Sequence, residues 1–212
     1  MAPVSVVFSV SADGRAVAEA LIENPAEAES LLAQARAAGS ELAWAHSAAD
    51  LAPLGFASSW GFRRLEGHSG GARGGGADRT AGQDVTPLAA GDETAELWAQ
   101  AFSGQWGHKT PSQWPLDLPA GLTTLALRRD GRPVGVCRID PATGLIDGPG
   151  LVEDHRDAAG YQRLLEAALA AVRTPSVTVE SWGDDPDRVG ICERLGLPTV
   201  EYVPGWELDL HS

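Results

Sequence analysis

Between Leu151 and Val172 the chain reads LVEDHRDAAGYQRLLEAALAAV. A short loop carrying Arg156 and Gly160 runs straight into an amphipathic stretch. The first N–H groups of a helix have no intrahelical partner, and the helix dipole makes that end positive, so a loop of this build can cradle an anion such as a phosphate. Gly160 permits close backbone approach, and Arg156 supplies charge. Asp157 opposes an anion by its own charge. Tyr161 is bulky where a phosphate cradle favours a small residue. Tyr161, Leu164, Leu165, Ala168, Leu169 and Val172 fall on one helical face, which places the tyrosine ring on the core side. An ordinary strand-to-helix turn is the alternative that these residues leave open.

Other groups with chemistry are scattered. Cys137 and Cys192 are the two cysteines. An unperturbed thiol has a pKa of about 8.5, so Cys192 can serve as a proton donor or as a small buried hydrophobe. Asp147 and Glu153 lie just before the loop. Glu180 stands in the alternating run SVTVESW, opposite Val177 and Val179. His155 and His108 can titrate near neutral pH. Trp106, His108 and Trp114 share a Pro-rich irregular segment. The 5 histidines and 2 cysteines show no metal-ligand spacing. GGARGGG is not a phosphate loop, since no strand leads into it and no helix pattern follows.

Elements must hold these groups in place. The Gly-dense stretch from His68 to Gln83 has no hydrophobic residue larger than alanine and reads as a flexible linker. It divides the chain into residues 1–67, a linker 68–84, and residues 85–212. In the first part, PVSVVFSV predicts a strand, and Asn24-Pro25 opens a helix that ends near Gly39. ELAWAHS predicts a strand, followed by a broken helix and another strand. In the second part, DVTPLAA predicts a strand, and a helix follows with Asp92 as a plausible cap. Two strand-like runs flank Asp130-Gly131, a strong hairpin turn. Then come a short strand, the opening loop and helix, a strand over SVTVESW, a short helix and one or two closing strands. The two parts resemble each other, Leu31 preceding Gly61 much as Leu164 precedes Gly196. The expected architecture is α/β (α+β): a mixed sheet flanked by helices in two pseudo-repeated lobes, the first truncated.

Composition narrows the classes. The formal net charge of −13 and a pI near 4.7 argue against a general nucleic-acid binder. No apolar run approaches about 18 residues, so no membrane span is expected. The start shows no secretory signal and the cysteines are few, so a reducing cytoplasm is expected.

The order of elements in the second part, with the loop after Leu151, resembles the Gcn5-related N-acetyltransferase (GNAT) superfamily over about residues 85–210, and a partial copy covers 1–67. The family's loop runs V-x-P-x-x-R-G-x-G-x-G/A-x-x-L-L. Here Leu151 takes the Val position and Glu153 the Pro. Arg156 keeps the Arg, and Leu164 and Leu165 keep the Leu pair. Asp157, Ala159 and Tyr161 stand at the glycine positions. The resemblance implies acetyl-CoA or another acyl-CoA as co-substrate, bound along Leu151, Val152, Arg156, Asp157, Ala158, Ala159, Gly160 and Tyr161, with splayed central strands admitting the acyl arm beside Leu151 and Val152. It implies a carboxylate such as Glu153 as base. Aligning the family's N-x-x-A-x-x-L-Y-x-x-x-G-F helix on Gly196-Leu197 puts Cys192 at the position of the tyrosine that acts as general acid. Trp106, His108 and Trp114 would form the acceptor wall. The activity so implied is acyl transfer to a small amine or a peptide amine. The alternative is a catalytically degenerate scaffold that binds a ligand or a partner. Neither reading involves nucleic acid or membrane, and both admit a homodimer.

Overall fold

The computed structural model describes residues 4–11, 14–69, 84–89, 91–102, 121–182 and 186–211. Most of the expected linker, and the segment with Trp106, His108 and Trp114, lie outside the described residues. The chain forms two compact units. One comprises Met1–Phe62 and Tyr202–Ser212; the described residues from Arg63 to Glu201 make the other.

The first unit opens with the antiparallel pair β1 (Val7–Val10) and β2 (Ala16–Leu21). Helix α1 (Pro25–Ala37) carries the chain to β3 (Leu42–His46), which pairs parallel with β2. The start of α1 is set locally. The Asn24 side chain accepts from the Glu27 N–H at 3.2 Å, the Glu27 carboxylate accepts from the Glu23 N–H at 2.8 Å, and Pro25 fills the first turn. Asn24→Ala is expected to lower stability by about 1 kcal/mol, read as a shift in the urea midpoint at constant slope. Leu31 and Leu32 of α1 are buried over Ala18, Ala20, Ala43 and Ala45. Small strand residues let the helix lie close. The far side of β3 is paired antiparallel by Gly205–Asp209 of β10 (Thr199–Asp209).

The second unit holds β5 (Val85–Leu88), α2 (Asp92–Ala101), β6 (Thr123–Arg129), β7 (Arg132–Asp140), β8 (Leu145–Leu151), α3 (Ala158–Ala171), β9 (Ser176–Trp182) and α4 (Pro186–Arg194). Strands β5 to β8 form an antiparallel meander, and β9 joins β8 in parallel across α3. The long strand β4 (Ala57–His68) lies next to β9. The β6–β7 turn has Asp130 at φ 50 and Gly131 at φ 77, the two left-handed residues that a tight two-residue hairpin requires. Gly91, not Asp92, takes the cap position of α2.

The division into units does not fall at the Gly-rich segment. Strand β4 is cut between Phe62 and Arg63, and β10 between Glu201 and Tyr202. Composition marks where a chain cannot pack; it does not say which strands pair. Each unit does contain one parallel strand–helix–strand crossover, β2–α1–β3 and β8–α3–β9.

Alternation along the strands gives the second unit's sheet two different faces. One is covered by α3, whose Tyr161, Leu164, Leu165, Ala168 and Leu169 join Leu127, Ile139, Ile146 and Val179 in the core. Val172, the last member of the predicted stripe, caps the helix. The other face carries Arg138 and Asp147, with Trp98 of α2 over Arg138. Phe102, just after α2, lies on the glycines of β8; a Cβ at Gly150 would come 2.7 Å from its ring.

Candidate active site

A row of polar and charged side chains crosses the second unit's sheet on the α2 face. Cross-strand register makes it. Thr124 of β6 stands opposite Arg138 of β7, Arg138 opposite Asp147 of β8, and Asp147 beside Glu180 of β9. Arg138 and Asp147 form an ion pair, their side chains only 21% and 17% exposed. The Arg138 guanidinium sits 5.0 Å from the centre of the Trp98 ring, a cation–π contact that helps to hold it flat. Beyond Glu180, Arg64 of β4 binds Glu201 at 3.0 Å and Glu66 at 3.3 Å. Thr124 is 2% exposed, and its hydroxyl has no hydrogen-bond partner among the described residues.

The electrostatics separate the two central carboxylates. Burial pushes the Glu180 carboxyl above its ordinary range; the charges of Asp147 and Glu201 push it the same way, and Arg64 opposes. Asp147 has its own guanidinium. Two neighbouring acids held in unequal environments are a common way to build a base that works near neutral pH. The row has four carboxylates (Asp147, Glu180, Glu201, Glu66) against two guanidiniums (Arg138, Arg64), a balance that favours a cation. The parallel ladder of β8 and β9 runs over Leu145–Asp147 and Thr178–Glu180, while β8 continues along β7 as far as Leu151. The pair therefore stands at the last rung of that ladder.

The loop before α3 is tied to itself. Glu153–His155 form a single tight turn. The N–H groups of His155, Arg156 and Asp157 donate to the carbonyls of Val152, Glu153 and His155 at 2.9, 3.3 and 2.9 Å. Asp157 caps α3: its carboxylate accepts from the Gly160 N–H at 2.7 Å and also draws on that of Ala159. Arg129, at the end of β6, reaches the same carboxylate at 2.6 Å. Gly160 is what lets it in, since a Cβ there would fall 2.9 Å from the guanidinium. Burial pulls the Asp157 carboxyl up, but the Gly160 N–H and the Arg129 guanidinium together outweigh it and hold the carboxyl below its usual range. Arg156 Nε donates to the Leu151 carbonyl at 3.2 Å. A diphosphate needs several free donors at a helix start. Here most of the donors are engaged by the chain, and a carboxylate sits among them, so the residues present do not fit a coenzyme A pyrophosphate at this loop.

The residues expected from sequence are dispersed. Leu151 is 1% exposed in the core, and the Val152 N–H donates to the Val134 carbonyl at 3.0 Å. Ala158 and Ala159 are exposed in the first turn of α3, and Gly160 is buried. Tyr161 points into the core, its hydroxyl 3.6 Å from Cys192 Sγ, with Arg188 of α4 over its ring. Cys192 is 1% exposed. Burial pushes its thiol up, against the lowering effect of Tyr161, which leaves a protonated core thiol rather than a group at a substrate opening. Glu153 is exposed on the loop turn. Neither expected proton-transfer residue belongs to the charged row. Asp147 and Glu180 do. In sequence each looked like a lone carboxylate on a strand, because only register brings them together. Among the described residues no cluster of His, Cys, Asp and Glu could hold a metal ion.

No protein-family model matches the chain, and no curated protein matches it in sequence. Its fold is that of the GCN5-related N-acetyltransferases. A GCN5-related N-acetyltransferase from Sphaerobacter thermophilus superposes with a TM-score of 0.57 at 14% identity, over 96% of this chain and 80% of that one. Another from Anabaena variabilis gives 0.58 at 10% identity, over 97% of this chain and 58% of that one. A functionally unknown conserved protein from Staphylococcus epidermidis gives 0.58 at 13% identity, over 92% and 84%.

Proposed function

We propose that the second unit is an N-acyltransferase that moves an acyl group onto the amine of a small molecule or peptide, with Glu180 taking the ammonium proton. The observation that carries this reading is the cross-strand pair of Asp147 and Glu180, one acid held by Arg138 and the other with its pKa raised. The N–H bond of the ammonium breaks and the proton passes to a Glu180 carboxylate oxygen, which frees the nitrogen lone pair for attack. The charge of Asp147 is one of the causes that raise the Glu180 carboxyl, second to burial, and so adds to its basicity. The carboxylate excess of the row draws a cationic acceptor towards it. Acyl transfer is supported by the shared fold, since two of the three solved structures named above are GCN5-related N-acetyltransferases. An acyl-CoA is the donor that likeness suggests, although the loop before α3 does not fit its pyrophosphate. The two buried free cysteines suit a reducing cytoplasm, and among the described residues no helix is long and apolar enough to cross a membrane.

The test is thiol release from acetyl-CoA and from acetyl-pantetheine with a panel of amines between about pH 5 and 9. Transfer is expected, with a rate that rises through the elevated Glu180 range and then levels off as the base becomes fully ionised. Absence of transfer from every donor overturns the reading. The engaged donors of the loop favour a second reading, a catalytically degenerate module that binds a ligand or partner. No thiol release, together with saturable thermal stabilisation by a ligand, would establish that one.

A further inference from the structure

We infer that the chain closes its own anion site: Asp157 fills the start of α3 as a built-in carboxylate, so this unit takes no nucleotide diphosphate there. On the N-acyltransferase reading above, its donor is then a thioester without one. Three observations converge on this. Most of the backbone donors are engaged: the N–H groups of His155, Arg156 and Asp157 bond to the loop's own carbonyls, that of Tyr161 makes the first intrahelical bond to the Asp157 carbonyl, and the Asp157 carboxylate draws on those of Ala159 and Gly160. The nearest cations are committed. Arg129 lies 2.6 Å from Asp157 and 3.5 Å from His155 Nδ1, and Arg156 turns back onto the Leu151 carbonyl. The charge balance is wrong for phosphate, because the segment from Glu153 to Asp157 carries three carboxylates, Glu153, Asp154 and Asp157, against Arg156 and the incoming Arg129. An incoming diphosphate would have to displace a carboxylate that already has both the helix end and a guanidinium.

Asp157→Ser and Asp157→Asn remove the charge and keep a side-chain acceptor at the cap, so α3 should form, as circular dichroism would verify. Calorimetry with inorganic pyrophosphate and with coenzyme A is expected to show no saturable binding to the natural protein up to about 1 mM. Either variant is expected to bind coenzyme A at least about tenfold more tightly, and adding Arg129→Ala should abolish the gain. Saturable pyrophosphate binding to the natural protein would overturn the inference. So would two folded variants that bind no better than it does. In the transfer assay, kcat/KM for acetyl-CoA and acetyl-pantetheine should agree within about threefold in the natural protein and separate in favour of acetyl-CoA in the variants. If no donor supports transfer, the N-acyltransferase reading fails while calorimetry still decides whether the site is closed.

Discussion

On the proposed N-acyltransferase reading, Glu180→Gln is expected to lower kcat/KM for amine acylation by about 10²–10³-fold and at the same time to make the protein more stable at neutral pH. The two effects share one cause. Glutamine keeps the shape and a hydrogen-bonding end but cannot take a proton. The native carboxyl is held above its ordinary range by burial and by the charges of Asp147 and Glu201, against Arg64. The folded protein therefore keeps this proton to a higher pH than the unfolded chain does. Between the unfolded and folded values folding takes up a proton, so stability falls as pH rises through that window. Above the folded value the charged side chain is a standing penalty, and the substitution removes it. Below the ordinary glutamate range both proteins carry a neutral group, and their stabilities converge. Melting temperatures across pH 4–8, set beside the pH–rate profile of the parent, read both halves. A glutamate needed only for folding would lose activity and stability together, and that outcome would remove Glu180 as the base.

Asp157 carries the opposite sign. Its carboxyl is lowered, so its contribution to α3 is present above the ordinary aspartate range and lost as pH falls through the depressed value. The two acids of this unit thus pull the pH dependence of stability in opposite directions, one from the sheet and one from a helix cap.

What could be read from sequence was what is local. Asn24-Pro25 opens α1 and Asp130-Gly131 turns the β6–β7 hairpin because a cap or a left-handed pair depends on two or three neighbouring residues. The stripe from Tyr161 to Leu169 put the tyrosine ring in the core because helical periodicity alone decides its face. The lost glycines of the loop were visible as well. Asp157 three residues before Gly160 is itself a cap signal, yet no local pattern announces Arg129, which arrives from another hairpin. The charged row was out of reach for a related reason. Arg138, Asp147, Glu180 and Arg64 sit on four strands, and only the register of the pairing aligns them. The same non-locality hid the halves of β4 and β10 that belong to different units.

Gly144→Ala tests that register directly and should lower stability by about 3 kcal/mol or more, about 10 °C in Tm, while abolishing transfer. Gly144 ends the turn between β7 and β8 at φ +83, a conformation that costs alanine about 1–2 kcal/mol. The added Cβ would also overlap the Ser176 carbonyl oxygen and lie 2.5 Å from Thr174 Oγ1. The first of these is backbone and cannot rotate away. The Gly144 carbonyl accepts from the Thr178 N–H at 3.0 Å, the bond that starts the β8–β9 ladder. Relieving the overlap means moving the beginning of β9 away from β8, and three residues along the same ladder Asp147 meets Glu180. The substitution should therefore damage folding and chemistry together, in contrast to Glu180→Gln, which separates them. Denaturant unfolding and the transfer assay on the same preparation decide it. A variant within about 1 kcal/mol of the parent, with transfer intact, would mean that the β8–β9 register does not depend on this glycine.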